Sequence, residues 1–217
     1  MYEDITSIAI EDYLAGLMPP RPEIFAELEK RAHNQGLPLL GPVEGQFLYL
    51  LAKSAGAREA LEIGTATGYA AMWLLRAVVP AGGRLTAIEL RPERFNLARE
   101  YITRAGYGDR LSIHQGEWFS ILETLSGPFD LIFLDILRNL SSEDDAVKAL
   151  DLCVARLRPG GVLIGDNVLC SGLVLEDNPA PIVRGIQAFN REIMNHPQLE
   201  SVIVPLRDGV AICRKRD

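Results

Sequence analysis

Five short strand-like runs, spaced so that a helix fits between neighbours, constrain this chain more than any other feature. They read "EALEIG", "RLTAIEL", "RLSIHQG", "FDLIFLD" and "GGVLIGDN". Apolar strands alternating with helices predict a mainly parallel sheet covered on both faces, because strands buried on two sides lose the polar alternation of surface strands. The intervening helices are "GYAAMWLLRAVV", then "RPERFNLAREYITRAG" with Pro92 near its first turn, and a helix over about 142–157. At the end, "LESVIVPL" and "GVAICRK" flank "RDG", whose Asp208-Gly209 pair is a hairpin signal. The expected fold is therefore α/β, with an antiparallel edge on an otherwise parallel sheet.

The segment before these runs, about 1–54, is predicted to be helical. "PRPEIFAELEKRAHNQG" sets Ile24, Phe25 and Leu28 on one face and stops at Gly36, and "QFLYLLAKSAG" makes a second helix over 46–56. A chain of 217 residues suits one sizeable domain. With no internal repeat and no Gly, Pro or Ser-rich linker, 1–217 is read as that single domain.

Charge and residue usage exclude several classes. A net charge of −7, from 29 acids against 22 Lys plus Arg, argues against a broad nucleic-acid face. No apolar run approaches the roughly 20 residues that span a bilayer. "MYEDITSIAIEDYL" carries acids where a signal peptide would carry bases, so a cytoplasmic protein is expected. Cys153, Cys170 and Cys213 are odd in number and far apart, which predicts reduced structural thiols. His33, His114 and His196 lack the close spacing of a paired metal motif.

In open α/β sheets, ligands bind beyond the carboxyl ends of the strands. The first strand runs into "EIGTATGYA", where Gly64 and Gly68 allow a tight turn and a close backbone approach, as a nucleotide-like ligand requires. Ala66 and Tyr69 occupy the second and third glycine positions of a dinucleotide turn, which disfavours a nicotinamide dehydrogenase. Glu89 ends the second strand, where a carboxylate can accept from both hydroxyls of a ribose; an adenosyl group fits. Alone, the turn also reads as a plain connection and Glu89 as a solvated strand-end acid.

The fourth strand ends at Asp135 and the fifth at Asp166-Asn167, and strand ends on one edge of a parallel sheet lie close together. Two carboxylates and an amide oxygen make a hard site suited to Mg²⁺, Mn²⁺ or Ca²⁺. Adjacent strand residues point to opposite faces, so Asp166 and Asn167 can share an ion only if the strand has already ended between them. Taken alone, Asp-Asn reads as a turn or a helix cap.

In these residues the chain resembles the S-adenosylmethionine-dependent O-methyltransferases of the catechol and caffeoyl-coenzyme A type, with their bacterial relatives. The resemblance rests on "PVEGQFLYLL", "LEIGTATGYA", "AIELRPE", "FDLIFLD", "LRPGGVLIGDNVLCSG" and "RDGVAICRK", in the family's order. It implies a Rossmann-like class I methyltransferase: a mostly parallel seven-stranded sheet, helices on both faces, and a C-terminal antiparallel hairpin. It further implies that Leu40, Glu62, Gly64, Thr65 and Ala70 surround the methionine part of S-adenosylmethionine, that Glu89 holds the ribose, and that Trp118 lies beside the adenine. Asp135, Asp166 and Asn167 match the family's ligands for a divalent metal, Mg²⁺ first, with Asp135 also near the cofactor's amino group.

The implied reaction is direct methyl transfer to a hydroxylated, catechol-like small molecule, with Asp135 and Arg138 as the catalytic pair and a homodimer as the assembly. Two departures stand out. Where the family commonly has Asp-Ala-Asp-Lys, this chain has "DILR", so Arg138 replaces a lysine that assists deprotonation; arginine can steady a phenolate but is a poor base. Lys148 is a conceivable substitute, though it reads more simply as an exposed helix residue. Cys170 stands where relatives carry a tryptophan, leaving a smaller wall beside the acceptor. Two alternatives accompany this reading: a methyltransferase of a hydroxylated nucleoside in RNA, and a cofactor-binding protein with weak or lost turnover.

Overall fold

The computed structural model describes residues 5–217, so the first four residues of the predicted helical segment lie outside the described residues. The chain forms two compact units, one of Glu11–Ile121 and one of Leu122–Asp217 with the N-terminal residues up to Ile10. Helix α1 (Ile8–Leu17) buries none of its residues.

In the first unit, α2 (Glu23–Gln35) starts after Pro22, whose fixed φ suits the residue before a helix. It ends where Gly36 turns left-handed and returns its N–H to the last carbonyls. Its buried residues are Phe25, Leu28 and Ala32, the spacing of a single helix face. Helix α3 (Gly41–Ser54) starts five residues earlier than the expected 46, because Pro42 sits in its first turn instead of in a connection. Strand β1 (Glu59–Ile63) leads to α4 (Tyr69–Val78), β2 (Arg84–Glu89), α5 (Pro92–Arg104), β3 (Leu111–Gln115) and the start of α6 (Trp118–Thr124).

The three strands run parallel in the order β3-β2-β1, with Ile63 opposite Ile88 and Glu89 opposite Gln115. All of α4 except Arg76 is buried, as befits a helix that is apolar all round. Trp73 anchors the core, its ring 4.7 Å from that of Phe25 and 6.4 Å from that of Tyr69. The Tyr69 hydroxyl donates to Glu29 at 2.6 Å, and Arg21 grips the same carboxylate through two bonds.

The second unit has β4 (Phe129–Leu134), α7 (Glu143–Arg156), β5 (Leu157–Asp166), α8 (Pro181–Asn195), β6 (Leu199–Val204) and β7 (Val210–Lys215), with strand order β4-β5-β7-β6. Strands β4 and β5 are parallel, whereas β7 is antiparallel to both its neighbours, as the sequence predicts. Helix α7 falls within the expected 142–157; the Ser142 hydroxyl caps the Asp145 N–H, and three acids crowd its first turn.

Helix α8 has no counterpart in the sequence reading. It buries Val183, Ile186, Phe189 and Ile193, and Pro181 lies in its first turn. The β6–β7 connection is also longer than a two-residue Asp-Gly turn. It takes residues 205–209, with Arg207 at φ 47 and Gly209 at φ 84 supplying the left-handed steps. All three thiols are free and buried, and burial pushes Cys153 up to about 12 and Cys213 up to about 11. Among the described residues, no helix is long and apolar enough to cross a membrane.

Candidate active site

The turn after β1 is built on hydrogen bonds to its neighbouring strand. The Gly64 and Thr65 N–H groups both donate to the Ile88 carbonyl, at 3.0 and 3.2 Å, which draws the turn across the end of β2. Glu89, 4% exposed, accepts the Ala66 N–H at 2.7 Å on one oxygen and the Arg91 N–H at 2.8 Å on the other. Ala66 sits at φ 47, the left-handed region that favours glycine, and the Glu89 carboxylate is what holds it there. Gly68, at φ 85, begins α4 so close to α5 that a Cβ would come within 2.9 Å of the Ala98 Cα.

Glu62, the penultimate residue of β1, is fully buried, and neither carboxylate oxygen has a hydrogen-bond partner. Burial pushes its carboxyl up to about 8, with a further push from the Glu89 charge; the Thr65 hydroxyl and the Ala71 N–H lie near enough to oppose this in part, though neither meets the geometry of a hydrogen bond. A buried acid without a partner is costly in a finished core and useful where a cation or a donor is to arrive. Ala70 lies in the first turn of α4, buried like Leu40 at the start of α3. Trp118 opens α6, half-buried, with its indole nitrogen buried and without a hydrogen-bond partner.

A different construction occupies the ends of β4 and β5. Their last paired residues are Leu134 and Gly165, so Asp135 and Asp166 stand one step further on in the same register. Facing residues of parallel strands project to the same side, which puts both acids at one end and on one face of the strand pair. Strand β5 ends at Asp166, and Asn167 is left-handed at φ 61, which meets the condition for Asp166 and Asn167 to leave the strict alternation of a strand. The Asn167 N–H returns to the Asp166 carboxylate at 2.6 Å. Among the described residues, no group of three or more His, Cys, Asp or Glu side chains that could hold a metal ion is found.

Arg138 follows in a short 3₁₀ turn after β4. Its guanidinium donates to the Ser171 hydroxyl at 2.7 Å and lies 3.2 Å from the Asp208 carboxylate, whose other oxygen accepts the Ser171 N–H. Neither Ser171 nor Asp208 emerges from the sequence as a site residue. Asp208 is legible there only as half of a turn signal, and its reach back to residue 171 depends on the sheet. Cys170 is buried in the same loop, and burial raises its thiol. Lys148 lies on the outer side of α7, half-exposed, paired with Glu123 at 2.9 Å, in keeping with a surface role.

Known proteins supply an independent comparison. The profile of the O-methyltransferase family matches residues 19–216. A catechol O-methyltransferase from Niastella koreensis is 29% identical over 94% of this chain and 95% of its own length. A caffeoyl-CoA O-methyltransferase from Eucalyptus gunnii is 27% identical, covering 97% of this chain and 89% of its own. The crystal structure of an O-methyltransferase from Bacillus cereus in complex with SAH superposes with a TM-score of 0.85 at 29% identity, over 96% of this chain and 97% of that one.

Proposed function

This chain belongs to the S-adenosylmethionine-dependent O-methyltransferase family of the catechol and caffeoyl-coenzyme A type, and from that premise we propose that it methylates a hydroxylated, catechol-like small molecule with the help of a divalent cation. Its fold is the Rossmann-like class I methyltransferase fold, a mixed seven-stranded sheet flanked by helices. Because the family profile runs through both compact units, we read 1–217 as one methyltransferase domain.

The cofactor end is supported by the orphaned Glu62 carboxylate and by Glu89, each of whose oxygens accepts one backbone N–H. Glu62 would take the ammonium group of the cofactor's methionine part, with Gly64, Thr65, Ala70 and Leu40 enclosing it. Glu89 has lone pairs left for a ribose, and the Trp118 indole offers a flat surface to an adenine. When bound, S-adenosylmethionine supplies an electrophilic methyl group to an acceptor oxygen.

The observation that carries the acceptor chemistry is the register that sets Asp135 beside Asp166, with Asn167 turned out of the strand. This donor set fits a hard cation, and Asp135, Asp166 and Asn167 would hold Mg²⁺ before Mn²⁺ or Ca²⁺. When bound, such an ion lowers the pKa of a coordinated hydroxyl and stabilises the resulting oxyanion. Asp135, half-buried at the strand end, would orient the acceptor hydroxyl for in-line attack, a contribution of positioning. As an arginine, Arg138 is a poor general base and is not assigned that role.

Titrating S-adenosylmethionine and then a catechol into metal-free protein, with and without Mg²⁺, tests this reading calorimetrically. Catechol binding that needs both Mg²⁺ and Asp166 supports it. Cofactor binding without any metal-dependent catechol response removes the catechol chemistry and favours a hydroxylated nucleoside as acceptor. We read the chain as a cytoplasmic small-molecule enzyme, in keeping with its acidic composition. The exposed Ile8, Ile10, Tyr13 and Leu17 of α1 support a homodimer, which sedimentation equilibrium showing only monomer would reject.

A further inference from the structure

The loop after β5 is unusual in its backbone. Within residues 167–172, Asn167 (φ 61), Cys170 (φ 48), Ser171 (φ 54) and Gly172 (φ 80) are all left-handed, and three of these carry side chains. Each non-glycine residue in that region costs about 1–2 kcal/mol, less for Asn, so the loop does not hold this shape by itself. From one side, α8 contributes Asn190, whose amide donates to the Val168 carbonyl at 2.7 Å, and Gln187, whose amide donates to the Val174 carbonyl at 2.9 Å.

From the other side the β6–β7 hairpin grips the loop. The Val168 N–H donates to the Gly209 carbonyl at 3.1 Å and the Leu169 N–H to the Asp208 carbonyl at 2.9 Å. Gly209 permits this approach, since a Cβ there would lie 2.4 Å from the Leu169 Cγ. The Asp208 side chain then takes the Ser171 N–H and faces the Arg138 guanidinium, which also donates to the Ser171 hydroxyl. Behind the hairpin, the Arg207 N–H donates to the Thr6 hydroxyl at 3.0 Å.

We infer that Asp208 and Arg138 act together as positioning residues for methyl transfer, clamping the left-handed loop 167–172 to the β6–β7 hairpin and thereby setting where an acceptor lies relative to Asp166 and Asn167. This rests on the reading of Asp135, Asp166 and Asn167 as the acceptor end. A single guanidinium nitrogen of Arg138, Nη2, donates to the Ser171 hydroxyl at 2.7 Å and stands 3.2 Å from Asp208 Oδ2 as an ion pair, so one side chain ties residue 171 to the hairpin. The side chains are 41% and 19% exposed, so their ion pair adds little to global stability. Its effect falls on the geometry of the loop that carries Asn167 and the small Cys170 wall.

The test compares Arg138→Ala, Asp208→Ala, the double variant and Arg138→Lys by two readouts. The first is amide hydrogen exchange at Leu169 and Ser171 in protein without acceptor. Loss of charge-assisted bonds predicts exchange about tenfold faster in either alanine variant, no further gain in the double variant, and melting temperatures close to wild type. The second is methylation of 3,4-dihydroxybenzoate with Mg²⁺. The expected outcome is kcat/KM lower by about 10²-fold, as a misplacement of about 1 Å produces. The ratio of 3-O to 4-O product should shift toward unity, cofactor affinity should stay unchanged, and Arg138→Lys should recover part of the rate without a new limb in the pH profile.

Unchanged exchange at Leu169 and Ser171 overturns the clamp. So do additive rate losses with an unaltered product ratio, which would place Arg138 in direct contact with the acceptor. A wild type that binds cofactor but leaves 3,4-dihydroxybenzoate unmethylated sinks the catechol reading instead, and the exchange data still decide whether the pair holds the loop.

Discussion

The turn after β1 and the ends of β4 and β5 are held in opposite ways. At the turn after β1, the fixing groups are buried: Glu89 ties down Ala66 and Arg91 through backbone donors, and Glu62 sits beside them with both oxygens unsatisfied. At the ends of β4 and β5, strand register aligns the acids, and the loop beyond is tied by a partly exposed ion pair and a hairpin. A buried, over-determined turn suits a ligand shared by a whole family. A loop held from the surface can be retuned by one or two substitutions without unfolding the core, which is where acceptor preference would diverge.

Four measurements would break or sharpen this contrast. The largest effect belongs to Asp166→Ala. Turnover should fall on the order of 10²–10³-fold through loss of oxyanion stabilisation, while S-adenosylmethionine affinity by calorimetry stays near wild type; equal loss of both would erase the distinction between the ends. Glu89→Ala should weaken cofactor binding by roughly 10–100-fold and lower the melting temperature, since two backbone donors lose a charged acceptor worth about 1.5–3 kcal/mol each. A variant with unchanged affinity would remove Glu89 from the ribose site.

Third comes the pH dependence set by Glu62. Its folded carboxyl stands near 8 against an ordinary value of 4.5, so between those two values the unfolded chain has released a proton that the native protein keeps. Stability of the cofactor-free protein from this group should therefore fall as pH rises through that window and level off above about 8. Melting curves of Glu62→Gln should lack that slope. Cofactor binding below pH 8 should release a proton, visible as a buffer-dependent binding enthalpy, if the arriving ammonium selects the ionised acid. Smallest of all, Lys148→Ala should change turnover by less than about twofold, because its exposed pair with Glu123 is worth a few tenths of a kcal/mol. A drop of 10²-fold would make Lys148 the missing base.

Much of this was legible before any coordinates, for physical reasons. Apolar runs ending in acids mark the parallel strands, and their carboxyl ends point to Glu89, Asp135 and Asp166 from local pattern alone, whereas Glu62 stands out only through the family resemblance. Asn167 could be judged only conditionally, and its φ of 61 resolves the condition. Helix α8 escaped notice although Val183, Ile186, Phe189 and Ile193 carry helical spacing, since "CSGLVLEDNPAP" before it reads as one long loop. The early start of α3 escaped for a similar reason: "LPLLGPVEG" looks like a connection until Pro42 is seen inside the first turn. The clamp was out of reach altogether. It joins residues 138, 171 and 208, separated by more than thirty positions at each step, and only strand order brings them into contact.

The three buried thiols give the molecule a built-in reporter of its own opening. With Cys153 near 12, Cys213 near 11 and Cys170 raised by burial, almost no thiolate exists in the closed protein at neutral pH. Alkylation must then wait for a segment to open. Cys170, in the loop tied by Asp208 and Arg138, should label ahead of Cys153 in α7 and Cys213 in β7, so the order of labelling distinguishes a loosened loop from a melted core.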